Sequence, residues 1–516
     1  MTYRLKRLYH WTLLFVSAAI ALGCTTNPVT GKREISFVSL DQQIQIGEQN
    51  YIPSQQSQGG EYYLDPDLNT YVSNVGQKLV RAAEEVADLP DLPYEFVVLN
   101  NGVPNAWALP GGKIAINRGL LVELEDESEL AAVLGHEIVH AAAAHGAAQM
   151  SRSQVIGVGA TIAAIAGSQT ELGGLINAGS QLGAASLLAT YGRDDELESD
   201  EYGMIYMSHA GYDPQGAVGL QETFVRLSGN QQQDFISGLF ASHPPSQSRV
   251  DANIKTARSL PAAGTKGRDT YQRAIAQITK DQAAYEAENA AIQALNNKNP
   301  REALNQLDRA VAIQPDEGQF WELRGHAWEM LGENDNALKA YTTAIGKNED
   351  YFQHWLARGL LHKEAGRDNS AEQDLLRSQR LLPTAESSFF LGELVEARGD
   401  ARKARDYYSQ AASAGGNIGG AAQSKLIRYD LPESPNKYIA SGFFLTSQGE
   451  LVAAVENRSD LSITGISVRV TDKQTGRSRD YPINATLNKG EQANTRTGLY
   501  GLEENFNIVV VTAKAN

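Results

Sequence analysis

The sequence predicts a multidomain fold of three parts: a mainly α-helical domain with a small β-sheet, an α-solenoid, and a C-terminal all-β, sandwich-like domain. Long helical patterns around one short β-rich region fill residues 24–280. Small residues recur every 33 or 34 positions within residues 281–420, and β-rich runs separated by turn residues fill residues 430–516. A chain of 516 residues is also too long for a single hydrophobic core.

The first 23 residues have the pattern of a bacterial export signal. Basic residues precede an apolar run over residues 11–22, which is too short to span a membrane comfortably. The run ends in Ala-Leu-Gly-Cys, which resembles a lipobox, although Ala21 stands where Leu is usual. We therefore expect lipidation of Cys24, the only cysteine; the alternative is ordinary signal cleavage beside an incidental cysteine. Thr25 follows instead of Asp, which favours a periplasmic protein tethered to the outer membrane by its lipid anchor.

Composition excludes one class of partner. Hydrophobic residues make up 42% and charged residues 21% of the chain, as in ordinary soluble domains. The net charge of -16 argues against nucleic acid, because phosphate binding needs a concentrated surplus of lysine and arginine.

Before the main helix of the first domain, the sequence predicts two helices and a small sheet. A helical pattern covers residues 39–87, and Pro53, Gly59 and Gly60 mark a break near its middle. The predicted strands are residues 94–99, 106–109 and 113–117, the last two joined by a Pro-Gly-Gly turn. A long helix is then predicted to begin near Asp126 and to run past residue 145, with a capping box completed three residues after its cap.

The strongest chemical signal in the sequence is His136-Glu137-Ile138-Val139-His140, which lies within this long helix. Two histidines four positions apart project from one helix face and are close enough to hold one metal ion. The glutamate that follows the first histidine lies at the edge of that face, within reach of a metal-bound water. The pattern predicts a metal-dependent peptidase with one Zn²⁺ per chain.

Zinc needs a third protein ligand, and residues 196–200 supply the candidates. Glu196 and Asp200 are four positions apart on a helix predicted over residues 194–209, so both can face the metal. We expect Glu196 to be the ligand and Asp200 to accept a hydrogen bond from a ligating histidine. Glu198 remains the alternative ligand. The intervening residues 155–188 predict buried helices that cover the site.

The pattern His-Glu-x-x-His followed by Glu-x-x-small-Asp resembles metallopeptidase family forty-eight, which includes HtpX-like and CAAX prenyl endopeptidases. Ser199 stands where that family usually has Ala. Further matching positions are Asn105-Ala106-Trp107, His243-Pro244, Arg249 and the nine residues after Cys24. The resemblance implies a gluzincin-like zinc metalloendopeptidase domain. The combination of this domain with the export signal and the repeats is similar to the periplasmic members of the family that assist β-barrel assembly.

Each matching residue then receives an expected role. Glu137 is expected to act as general base. His243, with Arg249 as second candidate, is expected to stabilise the tetrahedral oxyanion. His243 has two alternatives, as a resting ligand at the open zinc position or as a loop residue. Residues 105–109 are expected to form an edge strand in which Asn105, Ala106 and Trp107 bind extended substrate, or else an ordinary structural strand. His145 comes five positions after His140, so it is expected to face another side of the helix, away from the site, and to be structural. Four further histidines are expected to be surface or packing residues, namely His209, His326, His354 and His362.

The solenoid prediction depends on two sets of residues that repeat in step. The small residues are Ala291, Gly325, Gly359 and Gly392, and then Ala303, Ala337, Ala371 and Ala404. Large residues recur beside them at Leu307, Tyr341, Leu375 and Tyr408. A period of about 34 is typical of tetratricopeptide repeats, in which small residues let two helices approach. We count four repeats and expect a protein partner on their surface, with the β-barrel assembly machinery as the candidate.

These features predict a periplasmic zinc endopeptidase that degrades unfolded or misassembled outer-membrane and other envelope proteins. The alternative is a latent protease that acts mainly as a chaperone or assembly factor through its repeats. An integral-membrane protease ranks below both, because no apolar stretch of about 20 residues follows the export signal.

Overall fold

The structure is a computed structural model that describes residues 24–152, 191–229 and 243–515. The chain divides into two compact units, residues 1–357 and 358–516. The predicted export signal over residues 1–23 and the predicted site cover over residues 155–188 lie outside the described residues. Nowhere in the described ranges is a helix both long enough and apolar enough to cross a membrane.

The predicted mainly helical domain with a small sheet forms the first part of the first unit. A short hairpin leads into two helices, a three-stranded sheet, and the helices that carry the metal-binding motif. Its strands are β1 (Cys24–Thr26), β2 (Arg33–Ile35), β3 (Glu95–Leu99), β4 (Ala106–Leu109) and β5 (Lys113–Asn117). Its helices are α1 (Leu40–Ser57), α2 (Pro66–Glu84), α3 (Arg118–Leu121), α4 (Glu127–Ala142), α5 (Arg193–His209), α6 (Gln215–Gly229), α7 (Gln247–Ser259), α8 (Arg268–Ala274) and α9 (Ala276–Lys280).

The sheet has the order β3-β5-β4, with β3 parallel and β4 antiparallel to the central strand. Gly111 and Gly112 have φ of 82° and 80°, a conformation that lets the chain turn back between β4 and β5. Within the described ranges no strand pairs with the other side of β4. The prediction that residues 106–109 lie at a sheet edge is therefore confirmed.

Two details of the helix prediction are wrong. Pro53 lies inside α1, where its missing N–H costs one backbone hydrogen bond and the helix continues; the break comes after residue 57, where Gly59 and Gly60 have positive φ. Asp126 does cap α4, accepting hydrogen bonds from the N–H groups of residues 128 and 129. The side chain of Glu129, however, accepts from the N–H of Glu125 at 2.7 Å, so no capping box closes.

Helix α4 also ends earlier than predicted. Ala144 has φ of 57°, a left-handed conformation that stops a helix and that few residues besides glycine and asparagine adopt readily. The helix therefore ends at Ala142, and a second helical segment covers residues 145–152. This break changes where the side chain of His145 lies.

The predicted repeats form pairs of consecutive helices that pack against each other within each unit. In the first unit these are α10 (Gln282–Asn296), α11 (Pro300–Ile313), α12 (Gly318–Met330) and α13 (Asn334–Lys347); α14 (Phe352–Glu364) crosses the border between the units. In the second unit they are α15 (Asp368–Leu381), α16 (Ala385–Ala397), α17 (Ala401–Ala412) and α18 (Gly416–Asp430). The recurring small and large residues contact each other, since a methyl group added at Gly325 would lie 2.2 Å from the Tyr341 ring and one at Gly392 would lie 2.7 Å from the Tyr408 ring.

The second unit ends in the predicted all-β domain. Its strands are β6 (Ile439–Leu445), β7 (Glu450–Asn457), β8 (Ile463–Asp472), β9 (Ser478–Ile483), β10 (Gln492–Tyr500) and β11 (Phe506–Ala515). They form two antiparallel sheets, of order β10-β7-β6 and β11-β8-β9, that share one hydrophobic core.

A buried polar cluster joins the peptidase part of the first unit to its first repeat. The guanidinium of Arg118 lies 3.5 Å from a carboxylate oxygen of Glu288 and 3.2 Å from the centre of the Tyr285 ring. Its Nε donates to Asn100 Oδ1 at 2.8 Å, and the amide of Asn100 donates to Glu317 at 2.8 Å. Burial raises the pKa of Glu288 to about 8 although Arg118 lowers it, so this group depends on its arginine partner mainly at higher pH, where it is ionised.

We expect Arg118→Met to destabilise the protein by about 1–3 kcal/mol, and by more at pH 9 than at pH 7, because only above its pKa is Glu288 left as a buried carboxylate without its partner. Thermal and urea denaturation of the full chain measure this effect. The double variant Arg118→Met/Glu288→Gln removes both charges and is expected to recover most of the loss. A double variant as unstable as Arg118→Met alone would show that the ion pair is not the cause.

Candidate metal centre

Helix α4 places His136 and His140 side by side at the centre of the first unit. Both imidazoles are buried, and their Nε2 atoms lie 3.0 Å apart. Burial lowers the pKa of His140 well below its usual value, which favours the neutral imidazole that binds metal ions. The i and i+4 spacing therefore produces the paired donors that the sequence predicted.

Helix α5 adds a carboxylate to this pair. The side chain of Glu196 is 1% exposed, with Oε1 3.4 Å from His140 Nε2 and Oε2 3.6 Å from His136 Nε2. The carboxylate of Glu198, the alternative ligand, points instead to His145, at 3.3 Å. The geometry thus brings Glu196 to the histidine pair, as the preferred prediction had it.

A pair of glycines lets α4 and α5 come close enough for this arrangement. A methyl group added at Gly203 would lie 2.9 Å from the backbone nitrogen of His136 and 3.0 Å from the carbonyl carbon of Gly135. Contacts that short do not occur between real side chains, so any larger residue would push the helices apart. Sequence reasoning missed these two glycines, because a glycine inside a helix usually signals nothing beyond lower helix propensity.

His243 also lies in the cluster. Its Nδ1 is 3.0 Å from Glu196 Oε1 and 3.3 Å from His136 Nε2. The donor atoms of His136, His140, Glu196 and His243 all lie within 4.8 Å of one another. Of the three possibilities left open for His243, this position matches the resting ligand and excludes a loop histidine away from the site.

The donor set fits a zinc ion. Ligands about 2.0–2.1 Å from a tetrahedral zinc lie about 3.3 Å from one another, close to most of the separations seen here. Imidazoles and a carboxylate are also ligands that zinc prefers. These residues can therefore hold the metal that the motif implies.

Glu137 lies beside this set and contacts it through one carboxylate oxygen only. Its Oε1 is 3.5 Å from His243 Nε2, and its buried Oε2 has no hydrogen-bond partner among the residues that the structure describes. Burial raises the pKa of this carboxyl above its usual value. A carboxylate held ready next to a metal site, with one oxygen free, is suited to accept a proton from a water molecule.

Asp200 and Arg249 hold the ligands in place through hydrogen bonds and ion pairs. Asp200 Oδ1 lies 3.0 Å from His136 Nδ1, which fixes the orientation of that ring as predicted. The Nε and Nη2 atoms of Arg249 both donate to Asp200 at 2.7 Å, and its Nη1 lies 2.6 Å from Glu196 Oε2. Burial alone would raise the pKa of Asp200, but Arg249 and His136 hold it below its usual value. In this arrangement Arg249 is occupied by carboxylates, which differs from the predicted contact with substrate or oxyanion.

The rings of Tyr191 and His145 contact His140, and sequence reasoning assigned neither residue to the site. The ring of Tyr191 stacks on the imidazole of His140, with centroids 3.8 Å apart. The prediction that His145 faces away from the site is wrong, because the helix break at Ala144 returns its Nδ1 to within 2.9 Å of His140 Nδ1. A left-handed alanine leaves no signal in the sequence that would have revealed this return.

The predicted substrate strand borders a small apolar cavity next to the metal-binding residues. Ala106 and Trp107 of β4 are buried, and Asn105 precedes them. The cavity is small, with a volume of about 20 Å³. Besides Ala106, His136, Glu137, Gln221, His243 and Arg249, it is lined by Leu120, Val133, Leu220 and Phe224.

A helix with the pattern His-Glu-x-x-His, whose two imidazoles meet a glutamate from a second helix, defines a metallopeptidase. Comparison with known families agrees with this class. The model of Peptidase family M48 matches residues 66–257, and a tetratricopeptide repeat model matches residues 288–351 and 330–386. The chain belongs to peptidase family M48.

Curated proteins that are similar to this chain are also named as proteases. A putative beta-barrel assembly-enhancing protease of Vibrio cholerae is 32% identical over 237 residues, which cover 44% of this chain and 46% of that protein. A beta-barrel assembly-enhancing protease of Yersinia pestis is 26% identical over 72% of this chain and 86% of its own length. The metalloprotease YcaL of Escherichia coli is 31% identical over 34% of this chain and 68% of its own length. The chain thus spans about half the length of the Vibrio cholerae relative.

Proposed function

We propose that the chain is a zinc-dependent endopeptidase with one Zn²⁺ held by His136, His140 and Glu196. The observation that carries this proposal is the convergence of these three donors next to Glu137, whose carboxylate is buried and has a free oxygen. Zinc, when bound, supplies Lewis acidity. Glu137 takes a proton from the attacking water and delivers it to the leaving amine, and Asp200 and Arg249 hold the ligands in place.

The substrate we propose is an extended, unfolded segment of polypeptide. Because no strand in the described ranges pairs with the outer side of β4, that side can pair with the main chain of such a segment, which requires no particular sequence. The cavity beside Glu137 is lined by Leu120, Val133, Leu220 and Phe224, so at its present size it suits only a small apolar side chain next to the scissile bond. A folded protein offers neither a free strand nor an exposed apolar side chain in that form.

The location and the natural substrates that we propose are the periplasm and unfolded or misassembled envelope proteins. The export signal pattern and the lipobox-like sequence at Cys24 support a lipid anchor in the outer membrane. The names of the Vibrio and Yersinia relatives support a role in the assembly of β-barrel proteins. The repeats would bring a protein partner to the protease, with the β-barrel assembly machinery as the candidate, and so raise the local concentration of substrate.

A latent protease that acts mainly as a chaperone is the second candidate. The position of His243 favours it, because a fourth protein ligand closes a zinc site in the manner of structural rather than catalytic zinc. Both candidates use the same repeats, so they differ only in whether peptide bonds are cut.

Incubating the zinc-loaded protein with one outer-membrane β-barrel protein in two states tests the proposal. We expect cleavage of the barrel diluted from urea and none of the same barrel folded in detergent. Equal cleavage of both states would contradict the substrate class. If neither state is cut, yet the aggregation of the unfolded barrel measured by light scattering is suppressed, the chaperone candidate is favoured.

Fractionation tests the proposed location separately. Wild-type protein is expected in the outer-membrane fraction, and Cys24→Ala protein in the soluble fraction. Finding the variant still in the membrane fraction would contradict a lipid anchor at Cys24.

A further inference from the structure

The two histidines of the metal-binding motif have different outer partners. His136 directs its Nδ1 to a carboxylate, Asp200, at 3.0 Å. His140 directs its Nδ1 to a second imidazole, that of His145, at 2.9 Å. His145 is fully buried, and its ring lies edge-on to the His140 ring.

The imidazole of His145 in turn contacts a carboxylate. Its Nε2 lies 3.3 Å from Glu198 Oε1. A neutral His140 that binds metal through Nε2 carries its proton on Nδ1 and donates it to His145 Nδ1. His145 must then carry its own proton on Nε2 and donate it to Glu198. One placement of the ring protons therefore gives every nitrogen of these two imidazoles a partner when Nε2 of His140 holds the metal.

Glu198 is held in turn by the N-terminal hairpin. The amide nitrogen of Asn27 donates to Glu198 Oε1 at 2.7 Å and to Glu34 Oε1 at 3.0 Å. Asn27 is 1% exposed, and its Oδ1 accepts the backbone N–H groups of Val29 and Thr30 at 2.9 and 3.2 Å. The turn between β1 and β2 thus fixes the donor that points to Glu198.

We propose that His145, Glu198 and Asn27 are positioning residues for the metal ligand His140, so that the hairpin β1–β2 contributes to metal binding. This inference rests on the proposed function, because it requires a metal ion on His140. Outer partners of this kind fix the tautomer and direction of a ligating imidazole and raise its basicity. Here that support comes from residues that begin three positions after Cys24, so the ordering of the chain next to the proposed lipid anchor affects how tightly the metal is held.

The test is the zinc affinity of the full chain, measured by competition with a chromophoric chelator. Asn27→Asp keeps the oxygen that accepts from Val29 and Thr30 but replaces the donor with a second carboxylate facing Glu198. Asn69→Asp is the matched control, since Asn69 also accepts a backbone N–H, from Val98 at 2.8 Å, and donates to a carbonyl, that of Tyr62 at 2.7 Å. The control lies outside this series of contacts.

We expect Asn27→Asp and His145→Phe each to weaken zinc binding by about 10- to 100-fold, and Asn69→Asp to leave it unchanged. Glu198→Gln keeps an acceptor oxygen for His145 and is expected to bind zinc more tightly than Glu198→Leu, whereas a mere packing role would make the two equal. The absorption spectrum of the Co²⁺-substituted protein is expected to shift in the variants that bind weakly, which shows that the ligand geometry has changed.

Zinc affinities of Asn27→Asp and His145→Phe equal to that of Asn69→Asp, in variants that remain folded by circular dichroism, would overturn the inference while leaving the proposed function intact. A wild-type chain that binds no zinc would overturn both. If His145→Phe does not fold, Asn27→Asp and the two Glu198 variants decide the matter alone.

Discussion

Glu137→Gln protein is expected to keep its metal ion and to lose cleavage of unfolded protein by about 10²–10⁴-fold. The amide has almost the size of the carboxylate, so the neighbouring His243, 3.5 Å away, need not move. It cannot accept the proton of an attacking water, however, and this is the step that the free oxygen of Glu137 is placed to perform. Metal content by mass spectrometry and the cleavage rate of a urea-diluted substrate measure the two properties separately.

Glu129→Gln provides a matched control on the same helix. Glu129 is also buried, and burial raises its pKa to about 7, but its carboxylate accepts a hydrogen bond from the backbone of Glu125 and takes no part in the site. We expect wild-type cleavage and wild-type metal content from this variant. Loss of metal from Glu137→Gln, or cleavage at the wild-type rate, would contradict the assignment of Glu137 as general base.

The parts of the fold that the sequence predicted well are those set by local periodicity. The strands β4 and β5 were predicted to the residue because a Pro-Gly-Gly turn separates two short β-rich runs. The repeats were predictable because each small residue meets a large one sixteen positions later, as Gly325 meets Tyr341. In both cases neighbouring residues determine the structure, so a single sequence contains the whole signal.

The parts that could not be predicted depend on tertiary contacts. The family resemblance placed His243 at the site, but nothing near it in the sequence shows that its ring lies 3.3 Å from His136, which is 107 residues earlier in the chain. The close approach of Gly135 to Gly203 could not be predicted either, because each glycine is needed only where the other helix contacts it. Alanine does not favour the left-handed conformation that Ala144 adopts, so the packing of the folded chain must impose it. This conformation returns His145 to the site.

His243→Ala protein is expected to bind zinc more weakly than wild type and to cut unfolded protein faster. In the structure the ring of His243 does two things that oppose catalysis. Its Nδ1 is part of the donor cluster, where a catalytic zinc site needs an open position, and its Nε2 lies 3.5 Å from the general base. Removing the ring opens that position and frees Glu137. If the open arrangement is 0.1–10% populated in wild type, the gain in rate is about 10- to 1,000-fold.

The opposite result would assign His243 the other role that its sequence position suggested. An imidazole that stabilises the oxyanion is worth about 10²–10³-fold in rate, so His243→Ala would then cleave that much more slowly and would keep its full affinity for zinc. The two roles thus differ in the sign of the rate change and in whether metal binding changes at all. His209→Ala, an exposed histidine on α5, serves as the control and should match wild type in both measurements. Because the ring cannot occupy the open position and stabilise an oxyanion there at the same moment, a faster enzyme that holds its zinc less tightly would identify His243 as the group that keeps the resting protease closed.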